Sequence, residues 1–217
     1  IDGGRLTAIS SLGAGGWHFR NLILRGSGAE ANNAHGMSLV GDQPGGNVLV
    51  DNVEISGFGQ RGIHIDADSL LDGVTIINCH LHDNAIGLWV GPTDRRQRSI
   101  HNLAVLDNRV ERSGKRFSGE NFPGGYGIRI GGVAGGRVAG NIVRDSGIDT
   151  RSPGHAGLSV NCSSEFLIER NIVSGTRVVA PGGAEAGGDG QGLSCNGLAD
   201  SVLRYNYIHD NGGAGIE

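Results

Sequence analysis

No apolar run of about 18 residues occurs in the sequence, which leaves no candidate membrane-spanning helix. Cysteine is scarce and odd in number: Cys79, Cys162 and Cys195. An odd count excludes a fully paired disulfide framework, and no Cys-x-x-Cys spacing points to zinc. Buried free thiols are expected. Proline occurs only 5 times, and there is no strict Gly-X-Y period, so collagen is excluded. Charge of one sign is also missing. The net charge is −4 with both signs interspersed, whereas a nucleic-acid binder would carry a basic stripe. The one basic cluster, Asp94-Arg95-Arg96-Gln97-Arg98, reads as a solvated loop. No stretch sustains apolar residues at helical spacing, and no signal peptide is visible. The chain opens at Ile1 inside repeat-like sequence, so a mature form or a fragment is expected.

What is present is glycine, 41 of 217 residues, and a modest 37% of apolar residues placed at regular intervals. That spacing argues for a folded chain rich in turns rather than for disorder. The intervals belong to a phrase that recurs about seven times: apolar-x-apolar, a polar step, an apolar residue, a small-residue turn, then Gly-apolar-x-apolar. Clear copies are Val138-Ala-Gly-Asn-Ile-Val-Arg-Asp-Ser-Gly147, followed by Gly157-Leu-Ser-Val160, and Leu203-Arg-Tyr-Asn-Tyr-Ile-His-Asp-Asn-Gly212. The copies align on Leu22, Val53, Cys79, Asn108, Asn141, Asn171 and Asn206, at steps of 31, 26, 29, 33, 30 and 35 residues. In the first three copies the Asn stands one residue earlier, as Asn21, Asn52 and Asn78.

Alternation over three to five residues means short strands with one buried face. Three such strands per copy make one rung of a solenoid, each rung burying its apolar face only against its neighbours. The expected fold is therefore an all-β, single-stranded parallel β-helix of about seven coils, three short strands per coil, forming one domain over 1–217. Equivalent strands stack at about 4.8 Å, so seven rungs span on the order of 34 Å. The recurring Asn suits a tight turn with left-handed backbone, and stacked amides can bond one another as a ladder. The recurring Gly is expected at a positive-φ corner before the last strand.

The Asn-x-[Ile/Val]-x-x-[Ser/Asn]-Gly and Gly-[Ile/Leu]-x-[Ile/Val] phrases resemble the right-handed parallel β-helix repeats of the pectate-lyase-like superfamily, over roughly 17–217. That superfamily includes polysaccharide lyases, polygalacturonase-like hydrolases, mannuronan epimerases, phage tailspikes and non-catalytic surface proteins. The resemblance implies a fold and, in many members, a substrate cleft along the sheet made by the Gly-φ-x-φ strands. It does not imply one activity.

In a solenoid the breaks in the repeat are the places to look for a site. The connection before the Gly-φ-x-φ strand lengthens to Gly114–Tyr126, Gly147–Ala156 and Gly175–Gln191 in three successive copies. Alternation makes Ser38, His64, Trp89, Arg129, Ser159 and Ser194 an outward column on that sheet, with Asn161 and Asn196 two residues further along their strands. An exposed Trp89 suits stacking on a sugar ring, or cover by a loop or partner. Arg129 suits a substrate carboxylate, or a salt bridge to Glu120 or Asp149. For a lyase, His155, Lys115 or Tyr126 is the candidate base and Arg129 the neutralising cation. For a hydrolase, Asp189 with Glu120 or Asp149 is the available carboxylate pair. The catalytic candidates are thus Arg129, His155, Lys115 and Asp189. The substrate-binding candidates are Trp89, His64, Tyr126, Asn161, Asn196 and Glu120.

Departures from the superfamily's patterns bound this reading. The Asn-x-Asp, Asp-Asp, Gly-His-Gly and Arg-Ile-Lys series of the hydrolases is absent, with Gly154-His155-Ala156 a partial echo. The Asp-Pro-His-Asp motif of the epimerases is absent, and the Asn/Glu/Glu calcium set and nearby Lys of the lyases cannot be placed, since no Glu occupies the middle of the outward column. No cofactor is assigned. Calcium could be placed only at Asp66, Asp68 and neighbours, without a full ligand set. His80 and His82 share a strand face but fall on a different sheet from His64, so no three-ligand metal site follows. The expected function is a secreted, extracellular or periplasmic, carbohydrate-active protein acting on an acidic polysaccharide. The alternative is a structural or adhesive, glycan-binding β-helix, with self-association through open solenoid ends.

Overall fold

A computed structural model describes residues 1–92, 99–114, 125–147, 156–177 and 190–217. Every regular element among them is a strand, and every strand pairing is parallel. Among these residues no helix is long and apolar enough to cross a membrane.

The chain is a parallel β-solenoid of about five turns. One seven-stranded sheet stacks the third strand of each copy: Ile9–Gly13, Met37–Gly41, Arg61–Ile65, Ile86–Val90, Ile128–Gly131, Ala156–Asn161 and Gln191–Ser194. The other two strand positions form a thirteen-stranded sheet with two columns. One column contains Asp72–Ile77, Ile100–Leu106, Val133–Ala139, Ser164–Glu169 and Val202–Arg204. The other contains His80–His82, Arg109–Glu111, Ile142–Arg144, Ile172–Ser174 and Tyr207–His209. The columns meet at Trp17–Gly26 and Val48–Ser56, where the first two strands of the copy run on as one. Three separate strands per coil therefore appear only from Asp72 onward. The last copy closes its third side by a single bridge, Leu193 to Ile216.

The apolar positions of the repeat all point inward. Ile76, Val105, Val138 and Ile168 line one wall, Ile55, Leu81, Val110, Val143 and Val173 the second, and Ile63, Leu88, Ile128 and Leu158 the third, in one continuous core.

The polar steps divide into two kinds. Asn108, Asn141 and Asn171 are buried, and their amides form a ladder through the coils that ends at Asn206. Asn108 Nδ2 donates to Asn141 Oδ1 at 3.0 Å, Asn141 to Asn171 at 2.9 Å, and Asn171 to Asn206 at 2.9 Å. These residues are not themselves left-handed. The left-handed residue is the one before: Asp107, Gly140, Arg170 and Tyr205, with φ between 51° and 69°. In the first three copies Asn21, Asn52 and Asn78 take that left-handed place and an apolar or thiol side chain takes the inward one. Cys79 fills the ladder slot there. Its N–H donates to Asn108 Oδ1 at 2.9 Å, and its Sγ lies 3.3 Å from the Ile77 carbonyl.

The recurring glycine also differs from expectation. Gly36, Gly62, Gly87, Gly127, Gly157 and Gly192 have no positive φ. They are glycine because of close approach. A Cβ on Gly127 would overlap Val143 Cγ1 and the Gly157 carbonyl oxygen; Gly36, Gly87, Gly157 and Gly192 meet the same kinds of neighbour, whereas Gly62 meets the Gly87 carbonyl and the Asn84 amide. Positive φ falls one corner earlier, at Gly57, Asp83, Arg112, Asp145, Gly175 and Asp210.

Candidate functional site

Strand alternation fixes the outward column of the seven-stranded sheet. Ile128 and Ile130 enter the core, so Arg129 between them faces away from it. The register then sets Ser38, His64, Trp89, Arg129, Ser159 and Ser194 side by side on successive coils. The sequence placed this column correctly, but its centre is covered rather than exposed. Trp89 is 6% exposed and Arg129 6%. The expectation of an exposed Trp89 is corrected accordingly.

Trp89 is held by its surroundings. Its Nε1 donates to the Gly91 carbonyl at 3.0 Å. The Arg129 guanidinium lies over its ring, Cζ 4.0 Å from the centroid, and that of Arg61 at 4.6 Å. Tyr126 meets it edge-on at 6.3 Å between centroids. The ring quadrupole attracts both cations and lets two like charges share one site. Burial, then the Arg129 charge, lowers the Arg61 pKa to about 10. Burial also lowers that of Arg129. Among the described residues no carboxylate pairs with Arg129, and its Nη1 has no hydrogen-bond partner. Ser159 Oγ, one coil on and fully buried, has none either.

Toward the other end of the column His64 stacks on His35, ring centroids 4.8 Å apart. Burial, then neighbouring positive charge, brings each pKa down to about 3, so both imidazoles are neutral at pH 7. His64 Nε2 lies 4.0 Å from Asp66 Oδ2. Beyond Ser159, Asn161 Oδ1 accepts from the Asn196 N–H at 2.8 Å, which fixes its amide along the strand ends. Asn161, Cys162 and Ser163 form a glycosylation sequon, but Ser163 is buried and its hydroxyl donates to the Asn161 carbonyl at 2.9 Å.

Of the sequence-expected residues, Arg129, Trp89, Tyr126 and His64 are gathered in one row, with Asn161 and Asn196 at its far end. Lys115, Glu120, Asp149, His155 and Asp189 lie outside the described residues. Two members of the row were not among the sequence candidates. Arg61 shares the parity of the inward Ile63 and Ile65, yet its guanidinium reaches Trp89 from the corner where alternation no longer holds. His35 lies before its strand, where no periodicity applies.

Metal chemistry finds no home among the described residues, where no three His, Cys, Asp or Glu side chains group as ligands. Asp66 Oδ1 instead accepts from the Asp68 N–H at 3.0 Å, a local turn. His80 and His82 stand on the other sheet from His64 and pair with Glu111 and with Asp83. Cys79, Cys162 and Cys195 are free thiols. Cys79 is buried, whereas Cys162 and Cys195 are only partly so.

A family described as "Right handed beta helix region" matches residues 7–217. The chain belongs to the right-handed β-helix family. Among solved structures, one from a bacterium is similar: "Crystal structure of alginate lyase from Paenibacillus sp. str. FPU-7". The identity is 12% and the TM-score 0.37, over 97% of this chain and 88% of that one. No curated protein matches. Membership of the right-handed β-helix family establishes the fold.

Proposed function

We propose that this protein is an extracellular or periplasmic carbohydrate-active β-helix that binds an acidic polysaccharide along the seven-stranded sheet and cleaves it. One observation carries the reading: Arg129 is nearly buried, stacked on Trp89, and has no carboxylate partner among the described residues. A buried charge without its counterion is costly and is expected where a ligand supplies the counterion. The aromatic-and-cation face suits a sugar ring bearing a carboxylate.

Cation-assisted β-elimination fits this row better than hydrolysis. Arg129 would offset the charge that develops on a uronate carboxylate as the C5 proton leaves. The electrons left behind form the C4=C5 bond and the C4–O bond breaks. Tyr126 is the base candidate beside Arg129, with His155 and Lys115 as the others. Hydrolysis would use Asp189 with Glu120 or Asp149. The test is a panel of alginate, pectin and glycosaminoglycans, followed for the unsaturated product by ultraviolet absorbance and for new reducing ends. Turnover that Arg129→Gln abolishes supports the enzyme. Binding without turnover would make the protein a glycan-binding β-helix. Neither binding nor turnover on any member overturns the proposal.

A further inference from the structure

Arg129 and Ser159 are paired in register on adjacent strands, so their side chains leave the same face about 4.8 Å apart. Each is more than nine-tenths buried. Each also retains an atom, Nη1 and Oγ, without a hydrogen-bond partner. Buried polar atoms are paired in nearly all cases, and each exception calls for a reason. The hydroxyls of Ser113, Ser146 and Thr176 also lack partners, in the turns; Arg129 and Ser159 differ in lying on the outward face of the sheet, where one ligand atom pair could accept from both. Nothing about the fold requires a hydroxyl at Ser159. The equivalent outward positions hold Trp89 two coils back and Ser194 on the next coil. Ser194 Oγ finds Asn161 Oδ1 at 3.4 Å, while Ser159 finds no such acceptor. The surface around the pair is half-buried Tyr126 and Asn161 and exposed Asn196.

We propose that Ser159 is a specificity-determining residue, its hydroxyl and the Arg129 guanidinium together binding one carboxylate of the ligand. This rests on the acidic-polysaccharide reading and adds to it the group recognised and the second residue that recognises it. The guanidinium supplies charge. The hydroxyl supplies a fixed second donor, so that a carboxylate is preferred over its neutral ester or amide.

The experiment uses the full chain and tetrasaccharides of galacturonate, mannuronate and guluronate, each as the free acid and as the methyl ester, with affinity measured by calorimetry. The wild type is expected to bind at least one acid about 10-fold or more tighter than its ester, the scale of one hydrogen bond to a charged group. Ser159→Ala is expected to lose most of that preference by weakening acid binding more than ester binding, and Ser159→Thr to keep it. The melting temperature of Ser159→Ala should stay level or rise, because the change removes a buried hydroxyl that had no partner. A drop would mark Ser159 as structural and overturn the assignment. An unchanged acid preference in Ser159→Ala overturns the role of Ser159 and leaves the glycan reading standing. Equal wild-type affinity for acid and ester overturns the carboxylate pair alone. Binding of no tetrasaccharide overturns both.

Discussion

The Arg129 guanidinium lies 4.0 Å from the centre of the Trp89 ring, reaching across from the next coil. The pair ties the indole to the charge of the candidate site, so Trp89 should report on anything that binds there. Trp17 is the other tryptophan and stands on the other sheet. Ligand binding at Arg129 should change the Trp89 component of the fluorescence and leave that of Trp17 untouched. In a Trp17→Phe background the whole ligand-induced change should remain, and in a Trp89→Phe background it should vanish. A change that survives Trp89→Phe would place the ligand elsewhere.

Trp89 also packs between the coils, and its loss has a stability cost apart from binding. Trp89→Ala should destabilise by about 3–5 kcal/mol, the usual range for a buried tryptophan. Trp89→Phe keeps a ring for Arg129 and should cost distinctly less. Urea unfolding midpoints check the order. Equal midpoints for the two variants would mean that the stack with the arginines contributes nothing to holding the coils.

The buried amide ladder should show a position dependence. Asn141→Ala leaves the Asn108 N–H without its acceptor, takes one of two acceptors from the Asn108 amide, which keeps the Ile76 carbonyl, and removes the amide donor to the Val105 carbonyl. With about 1–3 kcal/mol per orphaned buried group, a loss of about 3 kcal/mol or more is expected. Asn206→Ala, at the half-buried end of the ladder, should cost about 1 kcal/mol. Cys79 already occupies the next slot, with its Sγ beside the Val50 and Ile77 carbonyls that an amide there would meet. Cys79→Asn should therefore be tolerated within about 1 kcal/mol, although it buries an amide, because every bond of that amide has a waiting partner. Leu81→Asn, two residues on and facing the core, should unfold the chain. A Cys79→Asn variant as unstable as Leu81→Asn would show that the ladder cannot be extended.

Much of this was legible in the sequence because a stacked repeat writes its core once per coil. Val105, Val138 and Ile168 fall at the same place in three copies, and that place is inward. Overlay of the copies likewise put Trp89 and Arg129 on one outward column. What it could not supply was the reason for a recurring residue. Gly127 reads as a turn glycine by type, yet its backbone is ordinary and the constraint comes from Val143 and Gly157, a contact between coils. Exposure was illegible for a related reason. Alternation says that Trp89 faces away from the core, not what lies over it. Arg61 and His35 escaped because corners have no period, and a side chain there can turn to either face.

That account of the glycines has a direct consequence. Gly127→Ala should destabilise by more than the about 1 kcal/mol that helix or strand propensity alone could explain, and in the opposite sense, since alanine is the better residue on propensity. The cause named is overlap with Val143. Trimming the neighbour by Val143→Ala should recover part of the loss, so that the double variant is more stable than the sum of the single effects. Strict additivity in unfolding free energies would leave the close approach without energetic weight.

Acid should weaken the fold in two separable stages. His35 and His64 are pulled down to about 3 by burial first and by neighbouring positive charge second. In the unfolded chain each binds a proton near pH 6.5. Between these values the unfolded state holds protons that the native state refuses, so stability is full above about 6.5 and falls as pH drops toward 3. The slope is at most about 1.4 kcal/mol per pH unit for each histidine. Glu169 acts lower. Its hydrogen bonds with Arg137 at 2.6 Å and Arg204 at 2.9 Å hold its carboxyl below the ordinary value of 4.5. A depressed carboxyl stabilises above its unfolded pKa and loses that contribution as pH falls through and below it. Unfolding midpoints measured from pH 7.5 down to 3.5 should thus begin to fall near 6.5. The double variant His35→Gln, His64→Gln should flatten the stretch from 6.5 to about 4.5, and Glu169→Gln should flatten only what lies below. A double variant that retains the upper slope would show that the stacked imidazoles are not the groups that refuse the proton.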